Sequence, residues 1–475
     1  MENQKKNNLL PIIVMIFLFG MISFVTNLAS PMGDILTNQF GVPNWMGTLG
    51  VFANFIAYAI MGYPAGSLLQ KRGYKNTALI AIAVGFAGVG IQAVSGWIGN
   101  IDMEAAKTLA ESQGLGEESI ADLVSKRSFG IYLLGAFVAG FSMCLLNTVV
   151  NPMLNKLGGG GNKGNQLIQT GGAFNSLCGT AVIIITGLLL PNGVKNAAIA
   201  NVLPLMYSAI SVFAFAFLVI FFTKIEENEK KVVVKEDSKY GPFSFRHFIL
   251  GTVAIFVYIG IEVGIPNVLN KWLQNMDINA LRLTAESLGI TNLSEKELSD
   301  ALGGAAAAIA SSVTGTYWFL MLVGRLTGAA LGSKISAKAM LTFVSTVGLV
   351  LVVAAILIDP SVMTKMPVFK GAEGVGFVTV PINALLLVLC GLCTSIMWGG
   401  IFNLAVEGLG KYTEKASGIF MVMVCGGGIL TVVQNWLVDI SGYLTSYWLI
   451  AGLLCFLIFY ALVGCKNVNK DIPVE

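Results

Sequence analysis

Residues 144–179 read CLLNTVVNPMLNKLGGGGNKGNQLIQTGGAFNSLCG, and they contain an element that recurs 252 residues further along the chain. The element NPMLNKLG at residues 151–158 aligns with NLAVEGLG at residues 403–410, so that an Asn, a Leu and a Gly coincide. Each copy ends an apolar stretch, and a short turn with Gly and Lys precedes the next apolar stretch. We therefore interpret the chain as a duplicated membrane bundle.

The composition excludes a soluble protein, because 55% of the residues are hydrophobic and only 12% are charged. The 55 glycines suit helices that pack closely against one another in a bilayer. A net charge of +3 is too small to indicate a nucleic-acid partner. Most of the seven cysteines lie inside apolar stretches, so we expect no disulfide framework. His247 is the single histidine, which leaves no His-based metal site, and we expect no cofactor.

Apolar runs of about 20 residues each predict a membrane helix, and the chain has twelve of them. We call them span 1 to span 12: residues 9–36, 45–69, 76–98, 129–157, 166–191, 203–224, 247–272, 306–333, 338–358, 378–409, 416–438 and 443–465. The predicted fold class is an all-α membrane protein, with twelve transmembrane helices in two pseudo-symmetric six-helix bundles. Residues 1–225 would form the N-terminal half, residues 226–245 a charged linker, and residues 246–475 the C-terminal half.

Basic residues cluster on one side of the predicted bundle, in the termini, the central linker and alternate turns. Outside the linker they are Lys5, Lys6, Lys71, Arg72, Lys75, Lys156, Lys163, Lys334, Lys338, Lys411, Lys415, Lys466 and Lys470. By the positive-inside rule this side is cytoplasmic, which predicts a multi-pass protein of the bacterial inner membrane with both termini inside. Two longer loops, residues 99–128 and 273–305, fall on the opposite side. We interpret them as solvated loops, with a lid over the entrance as the alternative.

Charged side chains are scarce inside the spans, and each is a functional candidate because a charge at membrane depth is costly. Asp34 ends span 1 and is the predicted proton-coupling carboxylate, with Glu262 in span 7 as the second candidate. The alternative for Asp34 is an interfacial residue at a helix end. Arg325 and Glu407 stand where the other half has Tyr63 and an Asn, so we predict that they form a gating pair.

Amide side chains form stripes in the same spans, and helix breaks accompany them. Span 4 carries amides at i, i+4 and i+8, and Pro or Gly interrupts spans 1, 5, 7 and 11. Amides donate and accept hydrogen bonds, which suits a polyhydroxylated solute, and aromatic faces can stack on its C–H side. Interhelical hydrogen bonding is the alternative. The candidate substrate-binding residues are Asn27, Asn147, Asn151, Gln169, Asn175, Tyr258, Asn267, Trp398, Asn403, Gln434 and Asn435.

The sequence resembles the major facilitator superfamily and, within it, the fucose-galactose-glucose proton symporters. The stretches that carry the resemblance are GDILTNQF (33–40), NTVVNPMLNKLG (147–158), FNS (174–176), GIEVGIPNVLNKWL (260–273), YWFLMLVGR (317–325) and SIMWGGIFNLAVEGLG (395–410). GSLLQKRGYK (66–75) is similar to the superfamily's motif between spans 2 and 3, with Gln70 at its usual aspartate. By this resemblance Asp34 corresponds to the family's span 1 aspartate and Asn175 to its span 5 asparagine. Asn147 replaces the family's span 4 glutamate.

The resemblance implies a secondary active transporter that imports a hexose or deoxyhexose by cation symport, with protons as the coupling ion, through alternating access. The alternatives are a sodium-coupled or uncoupled sugar carrier, or a carrier of another small polar solute. A transporter-like sensor would require a signalling domain, and an embedded enzyme would require a catalytic carboxylate cluster or metal ligands. We expect a monosaccharide, a proton and the lipid bilayer as partners, no enzyme activity, and a monomer.

Overall fold

The computed structural model describes residues 9–40, 49–116, 120–189, 202–223, 240–287, 289, 294–369, 374–469 and 471–474. The predicted linker between the two halves falls mostly outside these residues, so the predicted domain boundaries stay a prediction. The side chains of Asn27 and Asp34 also lie outside the described part; both positions belong to the helix of span 1. We use N-terminal half for spans 1 to 6 and C-terminal half for spans 7 to 12.

The N-terminal half is built from long helices joined by short turns. Span 1 is the helix Leu9–Phe40. Spans 2 and 3 form one helical segment, Leu49–Ser112, which breaks at Gly73. Gly73 has φ 76°, a backbone conformation that only glycine adopts without strain, so the break falls where the sequence allows it. The remaining helices are Ile120–Leu123, Arg127–Leu157 (span 4), Gly161–Leu189 (span 5) and Leu203–Phe222 (span 6).

The C-terminal half has the same plan, with breaks inside spans 10 and 11. Spans 7, 8 and 9 are the helices Arg246–Gln274, Glu295–Leu331 and Ala337–Leu357. Span 10 is divided into Ile382–Thr394 and Met397–Val406. Span 11 comprises Thr413–Val422, the 3-10 turn Met423–Cys425 and Gly426–Ser441, and span 12 is Tyr443–Phe459 with a π-helical turn, Tyr460–Gly464. Two further 3-10 turns are Pro242–Ser244 and Gly410–Tyr412.

These helices agree with the twelve predicted spans. Ten helical segments within the described residues are long and apolar enough to cross a membrane, and one of them, Phe52–Ser112, contains two spans. The helix Gly161–Leu189, with 29 residues, supplies span 5. The predicted all-α membrane fold is therefore confirmed, although spans 3 and 8 extend further into the outer loops than predicted, to Ser112 and from Glu295, and the helix of span 10 begins at Ile382, later than predicted.

A small β-hairpin, which the sequence analysis did not predict, joins spans 9 and 10. Strand β1 (Met363–Phe369) pairs antiparallel with strand β2 (Val375–Pro381). The ring of Phe369 stacks on Phe319 of span 8 with 4.8 Å between the ring centroids, and its backbone N–H donates to Thr316 Oγ1 at 2.8 Å. The hairpin thus packs on the outer part of span 8.

The two halves meet most closely between spans 2 and 11, where glycines replace side chains. A Cβ atom on Gly418 would overlap backbone atoms of Gly62 and Gly66. Lys415 lies over the ring of Tyr63, with 5.8 Å from Nζ to the centroid. We call the end of the bundle that carries the turns 70–75, 156–163 and 408–415 the basic end. The contact between spans 2 and 11 is therefore a contact in the basic-end part of the bundle.

Candidate functional site

An ion pair between spans 7 and 8 lies at the centre of the candidate site. Arg325 Nη2 lies 3.2 Å from Glu262 Oε1, and each of the two side chains is only 13% exposed. The predicted gating pair of Arg325 with Glu407 is therefore wrong in this structure. Span 8 packs against span 7 and turns the guanidinium toward Glu262, whereas Glu407 is exposed and lines a cavity at the basic end.

Arg325 also binds the other half of the molecule. Its Nη1 atom donates to the backbone oxygen of Gly172 at 3.1 Å and to Asn175 Oδ1 at 3.2 Å, both in span 5. The arginine stem packs beside Gly172, since a Cβ atom there would lie in ordinary van der Waals contact, 3.6 Å from Arg325 Cδ. Asn175 Nδ2 in turn donates to the oxygen of Phe19 in span 1 at 2.7 Å. One continuous set of polar contacts thus joins spans 7, 8, 5 and 1.

Two tyrosines enclose Glu262 on the side of the C-terminal half. Tyr317 Oη donates to the backbone oxygen of Glu262 at 3.2 Å and lies 3.0 Å from Thr394 Oγ1. Tyr258 lies one helical turn before Glu262 and is fully buried. Its hydroxyl lies beside the Glu262 carboxylate and interacts with it. Tyr258 is therefore a buried polar group next to the ion pair.

An aromatic and amide contact continues the site toward span 4. Trp398 Nε1 donates to Asn151 Oδ1 across the two halves at 3.1 Å. The indole ring lies 6.3 Å from the ring of Tyr258 and 6.1 Å from that of Phe420, measured between centroids. Asn151 Nδ2 donates to the backbone oxygen of Asn147 at 2.9 Å, which orients the amide. Asn151 and Trp398 were both predicted as substrate-binding residues, and the structure brings them together.

Further amide contacts close the gap between the halves toward the basic end. Gln169 Nε2 donates at 2.8 Å to the backbone oxygen of Ile396, at the break in span 10; this oxygen also accepts from the N–H of Gly400 at 3.2 Å. Asn155 Nδ2 donates to Asn403 Oδ1 at 3.2 Å, and Ser417 Oγ donates to the oxygen of Thr148 at 3.1 Å. We call these three contacts, together with the glycine contact of spans 2 and 11, the inner gate.

Beyond the inner gate lies a cavity of about 560 Å³ at the basic end. Its charged lining residues are Lys156, Glu407, Lys411 and Glu414, and the amides of the inner gate, Asn155 and Asn403, form part of its wall. Asn155 and Asn403 are less than a tenth exposed. Their hydrogen bond therefore separates this cavity from the centre of the bundle.

Asn147 lies at the edge of this central site, next to Asn151, and the predicted substrate-binding residues Asn267, Gln434 and Asn435 lie apart from it. Asn147 Nδ2 donates to Tyr58 Oη at 2.7 Å inside the N-terminal half. Asn435 Nδ2 donates to Asn267 Oδ1 at 3.0 Å, and its own oxygen accepts from Lys271 Nζ at 2.6 Å. These contacts join spans 7 and 11 on the side of the outer loops. Gln434 is fully buried against Gly264 of span 7 and beside Ile450 of span 12.

Sequence reasoning missed several polar residues of the site. Tyr58, Tyr317 and Thr394 lie in largely apolar helices outside the amide stripes. Lys271 is a basic residue at the end of span 7 away from the other basic turns, which is the one signal that was available. Their partners become evident only when non-consecutive spans are packed.

The chemistry of the central site is hydrogen bonding beside one buried ion pair. Amide, hydroxyl and guanidinium groups converge with the faces of Tyr258 and Trp398, which is the set of groups that recognises a small polar solute with apolar C–H faces. No group of three or more His, Cys, Asp or Glu side chains comes together in the part of the chain that the structure describes.

Comparison with solved structures identifies the fold. The chain has the major facilitator fold: it superposes on the Escherichia coli fucose:proton symporter FucP in the outward conformation with a TM-score of 0.69, at 19% sequence identity, over 96% of this chain and 98% of that chain. The proton:xylose symporter XylE, of the same superfamily, matches with a TM-score of 0.63 at 13% identity, over 98% of each chain.

Sequence comparison gives relatives over nearly the whole chain. A protein of Helicobacter pylori named putative glucose/galactose transporter is 26% identical over 98% of this chain and all of its own length. The glucose/galactose transporter of Brucella abortus is 26% identical over 95% of this chain and 93% of its own. The L-fucose-proton symporter of Escherichia coli is 23% identical over 96% of this chain and 93% of its own length. No family model matches the chain. The predicted resemblance to the major facilitator superfamily and its sugar symporters is confirmed.

Proposed function

We propose that the protein is a secondary active transporter that imports a monosaccharide, a hexose or deoxyhexose, together with a cation by alternating access. The observation that carries the proposal is the polar cluster formed by both halves in the middle of the bundle, with Asn151, Asn175, Glu262, Arg325 and Trp398. A site made by two half-bundles can be exposed to either side by their relative rotation. The relatives named for glucose, galactose and fucose support a sugar as the solute.

The same residues suit a sugar chemically. Tyr258 offers a hydroxyl beside the ion pair, and the amides of Asn151 and Asn175 offer donors and acceptors for sugar hydroxyls. The indole face of Trp398 can stack on the apolar face of a pyranose ring. We assign the outer pair Asn267 and Asn435 a role nearer the entrance, because they lie between spans 7 and 11 beyond the central cluster.

We further propose that the basic end faces the cytoplasm, with both termini inside and the protein in the bacterial inner membrane. The positive-inside rule supports this orientation. The structure then corresponds to the state that is closed toward the cytoplasm, since the contacts of the inner gate lie in the basic-end part of the bundle. The protein is proposed to act as a monomer, because each half contributes to one central site.

Uptake into proteoliposomes tests the proposed function. The purified protein is reconstituted, and accumulation of labelled glucose, galactose and fucose is measured with an imposed proton gradient, an imposed sodium gradient or no gradient. We expect one or more of these sugars to accumulate with the proton gradient, and we expect the lumen of the proteoliposomes to become more acidic as protons enter with the sugar. Failure of every sugar to accumulate or exchange would contradict sugar transport, whereas accumulation with sodium alone would replace the proposed coupling ion.

For the proton site we propose Asp34, with Glu262 as a second carboxylate. Asp34→Asn removes the ionisable group and keeps the side-chain size. We expect this variant to lose gradient-driven accumulation and to keep counterflow, because counterflow exchanges sugar without net proton movement. Glu262→Gln is measured beside it in both assays. Accumulation at the level of the unmodified protein in Asp34→Asn would exclude Asp34 from the coupling mechanism.

A further inference from the structure

We propose that the β-hairpin between spans 9 and 10 is a docking site for a phospholipid of the leaflet opposite the basic end, with a preference for an anionic head group. The exposed face of the hairpin inserts apolar side chains at the boundary between acyl chains and head groups, and Lys365 binds the head-group phosphate. This site is separate from the central polar cluster, and it does not depend on what the protein transports.

The two faces of the hairpin differ in chemistry. Residues two apart in a strand lie on the same face of a sheet. The face toward the bundle carries Met366, Val368 and Val380, which are all buried. On the opposite face, which we call the exposed face, Val375 is 68% and Phe377 71% exposed. The members of the exposed face are Lys365, Pro367, Val375, Phe377 and Thr379.

Contacts at both ends fix the hairpin on the bundle. At its base, the buried Asn383 donates through Nδ2 to the backbone oxygens of Ala355 at 2.8 Å and Ile358 at 2.7 Å, which ties the start of span 10 to the end of span 9. At its tip, Phe369 is held by span 8 through its ring and its N–H. The exposed face is therefore a preformed surface.

The level of the hairpin along span 8 matches the edge of the hydrocarbon core. Its tip binds Thr316, which precedes Arg325 by nine residues in the helix Glu295–Leu331. This separation corresponds to roughly 13 Å along the helix axis, and half of a hydrocarbon core is about 15 Å thick. Since Arg325 belongs to the central site, and such sites lie near the midplane, the tip of the hairpin lies near the boundary between acyl chains and head groups.

Exposed apolar residues lead from span 9 to the hairpin. Span 9 exposes Phe343, Val350 and Leu357, and its helix ends at Leu357. Val362, immediately before strand β1, is also exposed, and Phe377 follows on strand β2. Apolar surface of this kind is unfavourable in water, whereas Phe with a neighbouring Lys is typical of segments that lie in the membrane interface. Lipid is therefore the occupant that fits the exposed face.

The polar part of the exposed face suits a phosphate. An open recess of about 440 Å³ is lined by Lys365, Phe377, Val378 and Thr379. Lys365 lies directly opposite Thr379 in the ladder, so an ammonium and a hydroxyl group stand side by side. Within the described part of the chain no ion pair involves Lys365. Lysine binds phosphate as a point charge, and Phe377 in the same recess contacts the acyl chains, so a phospholipid fits better than free phosphate.

Quenching by brominated lipids tests the site in the full chain. Val375→Cys is introduced into a protein whose seven native cysteines are replaced, labelled with a bimane fluorophore and reconstituted into nanodiscs with one copy per disc. The discs consist of phosphatidylcholine with increasing fractions of brominated phosphatidylcholine or brominated phosphatidylglycerol, with the bromine near the head-group end of the acyl chains. Leu115→Cys, which is exposed in the outer loop 99–128, is the control position.

We expect both brominated lipids to quench the label at Val375→Cys and to leave the label at Leu115→Cys almost unchanged. Phosphatidylglycerol should reach half-maximal quenching at about one fifth of the mole fraction that phosphatidylcholine requires, since one lysine near a membrane surface contributes about a fivefold preference for anionic lipid. Lys365→Gln should remove this preference. Lys107→Gln, which removes an exposed positive charge from the outer extension of span 3, should retain it.

Three outcomes would overturn the docking site. The first is quenching at Val375→Cys no stronger than at Leu115→Cys, and the second is equal quenching by the two lipids while Lys365 is present. The third is disulfide cross-linking of Val375→Cys between two copies in proteoliposomes together with weak quenching, because a second copy would then occupy the exposed face. Because no sugar enters the experiment, sugar transport stands or falls independently of it.

Discussion

The amide residues illustrate how one residue type serves different purposes in this molecule. Asn267 bonds to Asn435 within the C-terminal half, so these two amides connect helices of one bundle. Asn155 and Asn403 bond to each other across the halves, and Asn151 and Asn175 also have partners in the opposite half, so these contacts must separate when the bundle opens. An amide that loses its partner during the transport cycle becomes available to a sugar in the other state.

Gln434 gives the residue-scale prediction. Its side chain is fully buried, and neither amide atom has a hydrogen-bond partner within the described residues. An unsatisfied buried polar group costs about 1–3 kcal/mol. Gln434→Met, which keeps the length of the side chain, should therefore raise the melting temperature in detergent while leaving sugar affinity unchanged.

Calorimetric titration with the transported sugar, beside the thermal melt, decides between two roles of Gln434. A fall in sugar affinity in Gln434→Met would show that Gln434 binds the sugar, as the sequence pattern predicts. Asn151→Ala is the comparison variant, because Asn151 lies in the central site and its loss should weaken sugar binding.

At the scale of elements, the contact of spans 2 and 11 depends on the absence of side chains. Gly62, Gly66 and Gly418 let the two backbones approach one another, and Lys415 lies over Tyr63 beside them. The half that contributes span 2 has Gln70 in place of the aspartate of the superfamily motif. Close packing of the two backbones thus dominates this part of the inner gate.

Gly418→Ala tests this packing. The added methyl group would collide with the backbone of span 2, which cannot move away as a side chain can. We expect the variant to favour the state that is open at the basic end. A cysteine introduced as Asn403→Cys should then react faster with a hydrophilic maleimide. Gly452→Ala in span 12 is the control, because a Cβ atom there meets nothing within 4 Å. Equal labelling in the two variants would show that the glycine contact does not hold the gate.

At the scale of the whole molecule, the polar residues divide the spans into two sets. Spans 1, 2, 4, 5, 7, 8, 10 and 11 contribute to the contacts described above. Span 9 shows the opposite pattern, since Phe343, Val350 and Leu357 recur every seven residues and are each more than 60% exposed. An exposed apolar face of a membrane helix is expected to contact lipid.

Accessibility to water should follow this division. In a cysteine-free background, Asn267→Cys in span 7 should react with a membrane-impermeant maleimide applied from the outer side, and Val350→Cys should not. Both positions lie inside predicted spans, so the difference reports the cavity and not the depth. Rapid labelling of Val350→Cys would contradict the arrangement of span 9 at the lipid surface.

The hydropathy of the sequence by itself determined the twelve spans, because they follow from the length and period of local segments. Only the tertiary structure decided which side chains meet. Glu262 and Glu407 are both acidic residues in the C-terminal half, and local sequence did not distinguish them as partners of Arg325. Packing of span 8 against span 7 selects Glu262, 63 residues away. The unpredicted β-hairpin has the same origin, since it is placed by its contact with span 8. Contacts between distant segments depend on how helices are arranged in space, which no local pattern encodes.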